Sequence, residues 1–220
     1  MSFLGVLLEK PWQVGPSDTA LSVPRPKRIA LRFFLGMVTV LFSLFIVTFL
    51  ARSQFPDFEA LAAQPWQPFY NTSQLWWNTG LLLMASVCFQ LAFMFGRMSK
   101  RQLAVTLVGA AAIFTCAFLL AQWSVWQQLQ ALGYYVSTNP ANSYFYLLTA
   151  LHGLHLLGGL VVVVALIIRA SSDIGSDKLV ASIGLSATYC HYLFLVWLVL
   201  FALLTSTPET YKTLAGLCGF

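Results

Sequence analysis

Three histidines are the residues of this chain best suited to chemistry. His152 and His155 lie three residues apart in one long apolar run, and His191 lies in the next. Helical residues three or four apart share a face, so His152 and His155 stand one above the other, and Gly159 continues that face. In the following run Gly184, Thr188, His191 and Leu195 form a second stripe. Two kinds of chemistry suit this pattern. Imidazoles on facing helices at one depth can ligate a haem iron, with His191 meeting His152 or His155. Alternatively, neutral rings hydrogen-bond between helices, and small residues beside them allow close approach. The second reading is the default. Three histidines are one short of two bis-histidine haems, and no carboxylate lies within the runs to orient a ligating ring.

The other polar residues in apolar runs are few. Asn78 and Gln90 lie in one run, and Thr115, Gln122 and Trp126 share a side of the next. Each suits an interhelical network. No Asp, Glu, Lys or Arg falls in the middle of any run, so a proton relay built on carboxylates has no material here. Cys88, Cys116, Cys190 and Cys218 show no CxxC or Cys/His metal spacing and read as small packing residues. GxSxG, GxGxxG, HExxH and a phosphate-binding glycine loop are all absent.

Apolar helices that cross a bilayer must position these groups. Apolar residues make up 59% of the chain and charged residues 9%, against about 25% charged in a soluble domain. Mean hydropathy is +0.77. The sequence therefore predicts an all-α membrane protein, a bundle of five transmembrane helices at about 29–50, 75–95, 103–126, 143–168 and 180–204. Residues 1–28 form an N-terminal segment with four prolines between 11 and 28 and a short interfacial helix carrying Trp12; it is a poor signal peptide. Residues 29–206 form the transmembrane domain, and residues 207–220 a C-terminal tail.

Charge sets the orientation. The formal net charge is +5, but the basic residues lie between the runs, as topology signals do, and nucleic acid is not a partner. Lys10, Arg25, Lys27, Arg28, Arg32, Arg97, Lys100, Arg101, Arg169 and Lys178 fall on one side, and Arg52 and Lys212 on the other. That bias predicts a cytoplasmic N-terminus and an outer C-terminus.

Residues 138–159 read TNPANSYFYLLTALHGLHLLGG, and the His152-Gly-Leu-His155 pair with Gly159 resembles the most recognisable segment of subunit III of the haem–copper cytochrome c oxidases. Tyr189-Cys190-His191-Tyr192 with Trp197 is similar to a second family segment. Leu75-Trp76-Trp77-Asn78-Thr79 resembles a third, and Gln122 with Trp126 a fourth; Gly36, Met37 and Ser43 also fit. The resemblance covers roughly residues 29–206 and corresponds to the five-helix form, which lacks the first two helices of the seven-helix one. Three positions depart from the pattern: family carboxylates correspond to Leu44, Val125 and Phe194 here. Side-chain proton handling therefore does not carry over.

The resemblance implies a multi-pass subunit in a bacterial inner (cytoplasmic) membrane, with no catalytic site and no haem, copper or other metal of its own. It would serve a proton-translocating cytochrome c oxidase in aerobic respiration. Haem and copper would reside in the partners, subunit I and subunit II. This chain would stabilise subunit I and bind phospholipid, using His152, His155, Gly159, His191, Trp197, Gln122, Trp126 and Asn78 for packing and lipid contact. His152, His155 and His191 would tie the fourth helix to the fifth. The alternative is a subunit III-like accessory protein of a quinol oxidase or nitric oxide reductase. A free-standing membrane cytochrome and a secondary transporter are the remaining readings; the latter lacks broken helices and midplane charges.

Overall fold

The computed structural model describes residues 25–59, 61, 73–170 and 175–218. The expected N-terminal interfacial helix with Trp12 lies outside the described residues. Six α-helices follow in order: α1 (Arg25–Arg52), α2 (Ser73–Arg97), α3 (Arg101–Ala131), α4 (Pro140–Ala170), α5 (Ser176–Leu204) and α6 (Pro208–Cys218). The described residues contain no strand. Helices α1 to α5 are each long and apolar enough to cross a membrane, and the chain is a multi-pass, all-helical membrane protein. Each runs a few residues past its apolar stretch. A 31-residue helix such as α3 is about 46 Å long, against about 30 Å of hydrocarbon.

Local sequence explains the helix ends. Asn139 caps α4: its Oδ1 accepts the backbone N–H of Ala141 at 3.0 Å, and Pro140 occupies the first turn, where no amide hydrogen is needed. The same side chain reaches across to the loop after α1, donating to the Glu59 carbonyl at 2.7 Å. Helices α2 and α3 both end in Schellman motifs. After α2, Ser99 has φ 60°, with Lys100 N–H on the Phe95 carbonyl and Ser99 N–H on the Gly96 carbonyl. After α3, Gly133 has φ 88°, and the amides of Tyr134 and Gly133 bond to Leu129 and Gln130. The first motif makes α2 and α3 a tight antiparallel pair.

Helices α2 to α5 form the body of the bundle. At one end Phe89, Ala92, Ala104, Val108 and Ile183 are buried together; near the middle Leu82, Phe118, Leu193 and Trp197 pack against one another. Helix α1 stands apart. Its far end is fixed in an aromatic cluster, where Phe49 meets Phe58, Tyr144 and Tyr211 edge to face at 5.3–5.5 Å. Much of the rest is exposed, including Phe33, Met37, Val40 and Leu44. The segment expected to be a plain tail contains α6, which lies against this end of α1. Tyr211 is buried there and donates to the Leu203 carbonyl at 2.9 Å, and burial pushes its phenol pKa up. The exposed loop after α1 is tied by Arg52, which donates to both carboxylate oxygens of Asp57 and holds that carboxyl below its usual range.

Candidate functional site

Two features of the bundle involve the residues singled out by sequence: a polar seam through its middle and a cleft beside α1. The seam begins between α2 and α3, where Asn78 Nδ2 donates to Gln122 Oε1 at 3.3 Å with both side chains buried. The neighbouring Thr79 accepts the indole N–H of Trp197 on α5 at 3.0 Å and donates its own hydroxyl hydrogen to the Leu75 carbonyl. Trp126 on α3 donates to Thr149 on α4 at 3.2 Å. Neighbouring helices thus share hydrogen bonds that lipid cannot supply.

His152 is fully buried among these groups. Its ring lies 5.3 Å from Trp197 and 6.0 Å from Phe118, centroid to centroid. Neither ring nitrogen has a hydrogen-bond partner among the described residues, and neither does Gln122 Nε2. His152 therefore contributes here as a packed ring.

The other two histidines face other neighbours. The His155 ring turns towards α1, 5.6 Å from Phe42 and 6.4 Å from Phe34, with Nδ1 2.7 Å from the Leu151 carbonyl of its own helix. His191 faces α2, with Nδ1 2.5 Å from Ser86 Oγ and Nε2 3.1 Å from Gln90 Oε1. The expectation that all three tie α4 to α5 is corrected for His155 and His191 by these placements. His152 meets α3 and α5, His155 meets α1, and His191 meets α2. No two rings share a site, and the described residues contain no cluster of three metal-ligating His, Cys, Asp or Glu side chains.

A tyrosine supplies a hydrogen bond from α5 to α4. The hydroxyl of Tyr189 donates to the backbone carbonyl of His155 at 2.9 Å, and its ring covers Gly159. A Cβ on Gly159 would come 2.7 Å from that ring. Tyr189 belongs to a stretch flagged in the sequence, but an aromatic in an apolar run carries no sign of which glycine it will cover. One helical turn along α5, Tyr192 meets α1: Thr39 gives its hydrogen to the Leu35 carbonyl, so the Tyr192 hydroxyl is the donor in their 2.8 Å contact.

Beyond that contact α1 diverges from α4 and α5 and leaves a cleft of about 800 Å³. Phe34, Leu156 and Leu193 are among its apolar walls, and Lys27, Arg169 and Lys178 line it at the basic end of the bundle. All three cations are exposed. Arg101 occupies the same end, donating to the Ala170 carbonyl at the last turn of α4. The cleft is thus an apolar trough with cations at one end.

The chain matches no family model. It is similar to proteins described as probable cytochrome c oxidase subunit 3. That of Mycobacterium tuberculosis (strain ATCC 25618 / H37Rv) is 34% identical over 88 residues, covering 40% of this chain and 43% of the relative. For Nocardia farcinica the identity is 36% over 86 residues, 39% of this chain and 42% of the relative. For Mycobacterium leprae it is 34% over 128 residues, 46% of this chain and 63% of the relative. The chain thus spans less than two thirds of the length of each of these relatives. Over that part of its length the chain is similar to cytochrome c oxidase subunit 3 proteins, and its five long apolar helices are consistent with the five-helix form of that subunit.

Proposed function

We propose that this chain is a non-catalytic subunit III of a bacterial haem–copper terminal oxidase of the cytochrome c oxidase type. It stabilises the catalytic subunit within the membrane and holds phospholipid against it. Haem and copper reside in the partner subunits, subunit I and subunit II, and the basic end of this bundle faces the cytoplasm of the bacterial inner membrane. The observation that carries the reading is the similarity to subunit 3 proteins in a bundle whose own histidines are taken up by separate packing contacts.

The cleft supports the lipid part of this role. Acyl chains favour its walls for the same reason that they favour any apolar surface, and Lys27, Arg169 and Lys178 stand where a phosphate would sit at the headgroup level. A second reading, a subunit III-like accessory protein of a quinol oxidase or nitric oxide reductase, draws on three positions. Leu44 faces outward, Val125 is buried, and Phe194 is half-buried, all apolar where the family pattern has carboxylates. A partner that moves no protons past them would have no use for acids there.

The test is purification through an affinity tag on this chain after gentle solubilisation. Recovery with a haem-bearing partner that oxidises reduced cytochrome c supports the leading reading. A partner that oxidises quinol or reduces nitric oxide instead selects the second. Recovery of the chain alone, where other oxidases in the same extract stay intact, overturns both. Replacing Arg169 and Lys178 together with Gln should lower the anionic phospholipid retained by the purified complex.

A further inference from the structure

Helices α2 and α5 carry polar groups in the wrong place for lipid. Ser86 lies 13 residues after the start of α2 and 11 before its end; His191 lies 15 after the start of α5 and 13 before its end. Both are therefore near mid-membrane, with about 15 Å of hydrocarbon on either side; Gln90 lies one turn nearer the basic end, 17 residues after the start of α2 and 7 before its end, still about 10 Å inside it. A neutral imidazole has one N–H and one acceptor nitrogen. Gln90 Oε1 can only accept, so His191 Nε2 carries the hydrogen, and Nδ1 accepts from the Ser86 hydroxyl. This leaves the carboxamide nitrogen of Gln90, with two N–H groups, without a partner among the described residues. Gln90 is exposed, and its face of α2 continues through exposed Leu83, Val87 and Met94.

An amide donor turned into hydrocarbon is costly. Lipid offers no remedy at this depth, since its ester and phosphate oxygens lie at the membrane surfaces. By contrast the row Phe33, Met37, Val40 and Leu44 on α1 presents only apolar side chains and suits acyl chains. We infer that the α2–α5 face centred on Gln90 and His191 is the docking face for a transmembrane helix of a partner protein that presents a hydrogen-bond acceptor within the hydrocarbon core, at the level of Gln90. The occupant is a polypeptide because only a polypeptide fixes an acceptor at that depth. The inference deepens the subunit reading and rests on it only in that a membrane partner exists.

A photo-activated cross-linking residue placed at Val87, with a second at Val40 as the comparison, tests this in native membranes. The Val87 probe should capture one multi-span protein that also co-purifies with the tagged chain, and the Val40 probe should capture lipid. Adding Gln90→Leu should lower the Val87 protein adduct by about threefold or more, the share expected of one intramembrane hydrogen bond. Gln90→Leu also removes the acceptor of His191 Nε2, so Ser86→Ala, which removes the other hydrogen bond of the same ring, is the stability control and should leave the Val87 adduct in place. Adducts at Val87 with lipid or another non-protein molecule alone, or with a second copy of this chain, would overturn the inference. So would a protein adduct that Gln90→Leu leaves unchanged. Capture of a co-purifying membrane protein that contains no haem and assembles with no haem protein would support the docking face while refuting the oxidase reading.

Discussion

Tyr189 covers Gly159 so closely that a methyl group on the glycine would come 2.7 Å from the tyrosine ring. Its hydroxyl then bonds to the carbonyl of His155, one turn back along α4. The pair sets the distance between α4 and α5. Gly159→Ala gains helix propensity but must push the ring aside, so a net loss of about 1–2 kcal/mol is expected. Thermal unfolding of the purified protein in detergent checks it. Gly158, one residue earlier, has nothing within 4 Å of a Cβ, and Gly158→Ala should not lower stability.

His155→Leu should leave the α4–α5 contact intact, because the acceptor that Tyr189 uses is backbone. The ring of His155 packs on Phe34 and Phe42, so the substitution should instead loosen α1. Cysteine cross-linking between α1 and α4 would fall in the variant, while cross-linking between α4 and α5 would hold. The reverse pattern would show that the imidazole serves the α4–α5 seam.

His152 separates packing from hydrogen bonding. Its nitrogens have no partner among the described residues, and a buried polar group left so costs about 1–3 kcal/mol. His152→Phe keeps a ring between Phe118 and Trp197 and should be at least as stable as the parent. His152→Ala removes the ring and should cost about 3 kcal/mol. A large loss in the Phe variant would show that the imidazole nitrogens are engaged in the assembled protein.

Ser99 holds a left-handed conformation in the turn that joins α2 to α3. A side chain there costs about 1 kcal/mol relative to glycine, so Ser99→Gly should raise the unfolding midpoint. The residue is exposed, and no packing contact is at stake. Chemical denaturation of the two proteins side by side reads the difference directly.

The Arg52–Asp57 pair should show a pH dependence of known sign. Hydrogen bonding to Arg52 lowers the Asp57 pKa in the folded protein. Its contribution is therefore present above the ordinary carboxylate pKa and disappears as pH falls through the lowered one. Asp57 is exposed and Arg52 only half-buried, so the global effect is small. The loop should register it: hydrogen exchange across residues 53–59 should rise in acid below the usual carboxylate range, and Asp57→Asn should abolish that rise.

The five long helices are legible because hydrocarbon leaves a chain few options. About twenty apolar residues must cross as a helix, and basic residues mark the turns. The partner of each polar side chain is a different matter. His191 was expected to meet α4, but successive helical residues are set about 100° apart, and a modest rotation of α5 turns the ring to Ser86 and Gln90 instead. Sequence spacing defines a face on one helix and does not say which neighbour that face meets. Helix α6 was missed for another reason. Its 11 residues mix Glu209, Lys212 and Thr213 with Tyr211 and Leu214, a pattern too short to separate from a tail until Tyr211 is seen against Phe49. The cleft likewise has no signature in the chain, since it results from the divergence of α1 from a bundle to which it is otherwise joined.

The uneven attachment of α1 has a mechanical consequence. Its far end is clamped by Phe49, Phe58, Tyr144 and Tyr211, while the end carrying Lys27 borders the open cleft. Held at one end and again along its middle, by Thr39 on Tyr192 and Phe42 on His155, such a rod is most compliant over its free end. A molecule seated in the cleft is gripped on one side by the stiff wall of α4 and α5 and on the other by a spring. Such a molecule would be exchanged, or replaced by one of different girth, through bending of the free end of α1, with the polar seam of the bundle left undisturbed.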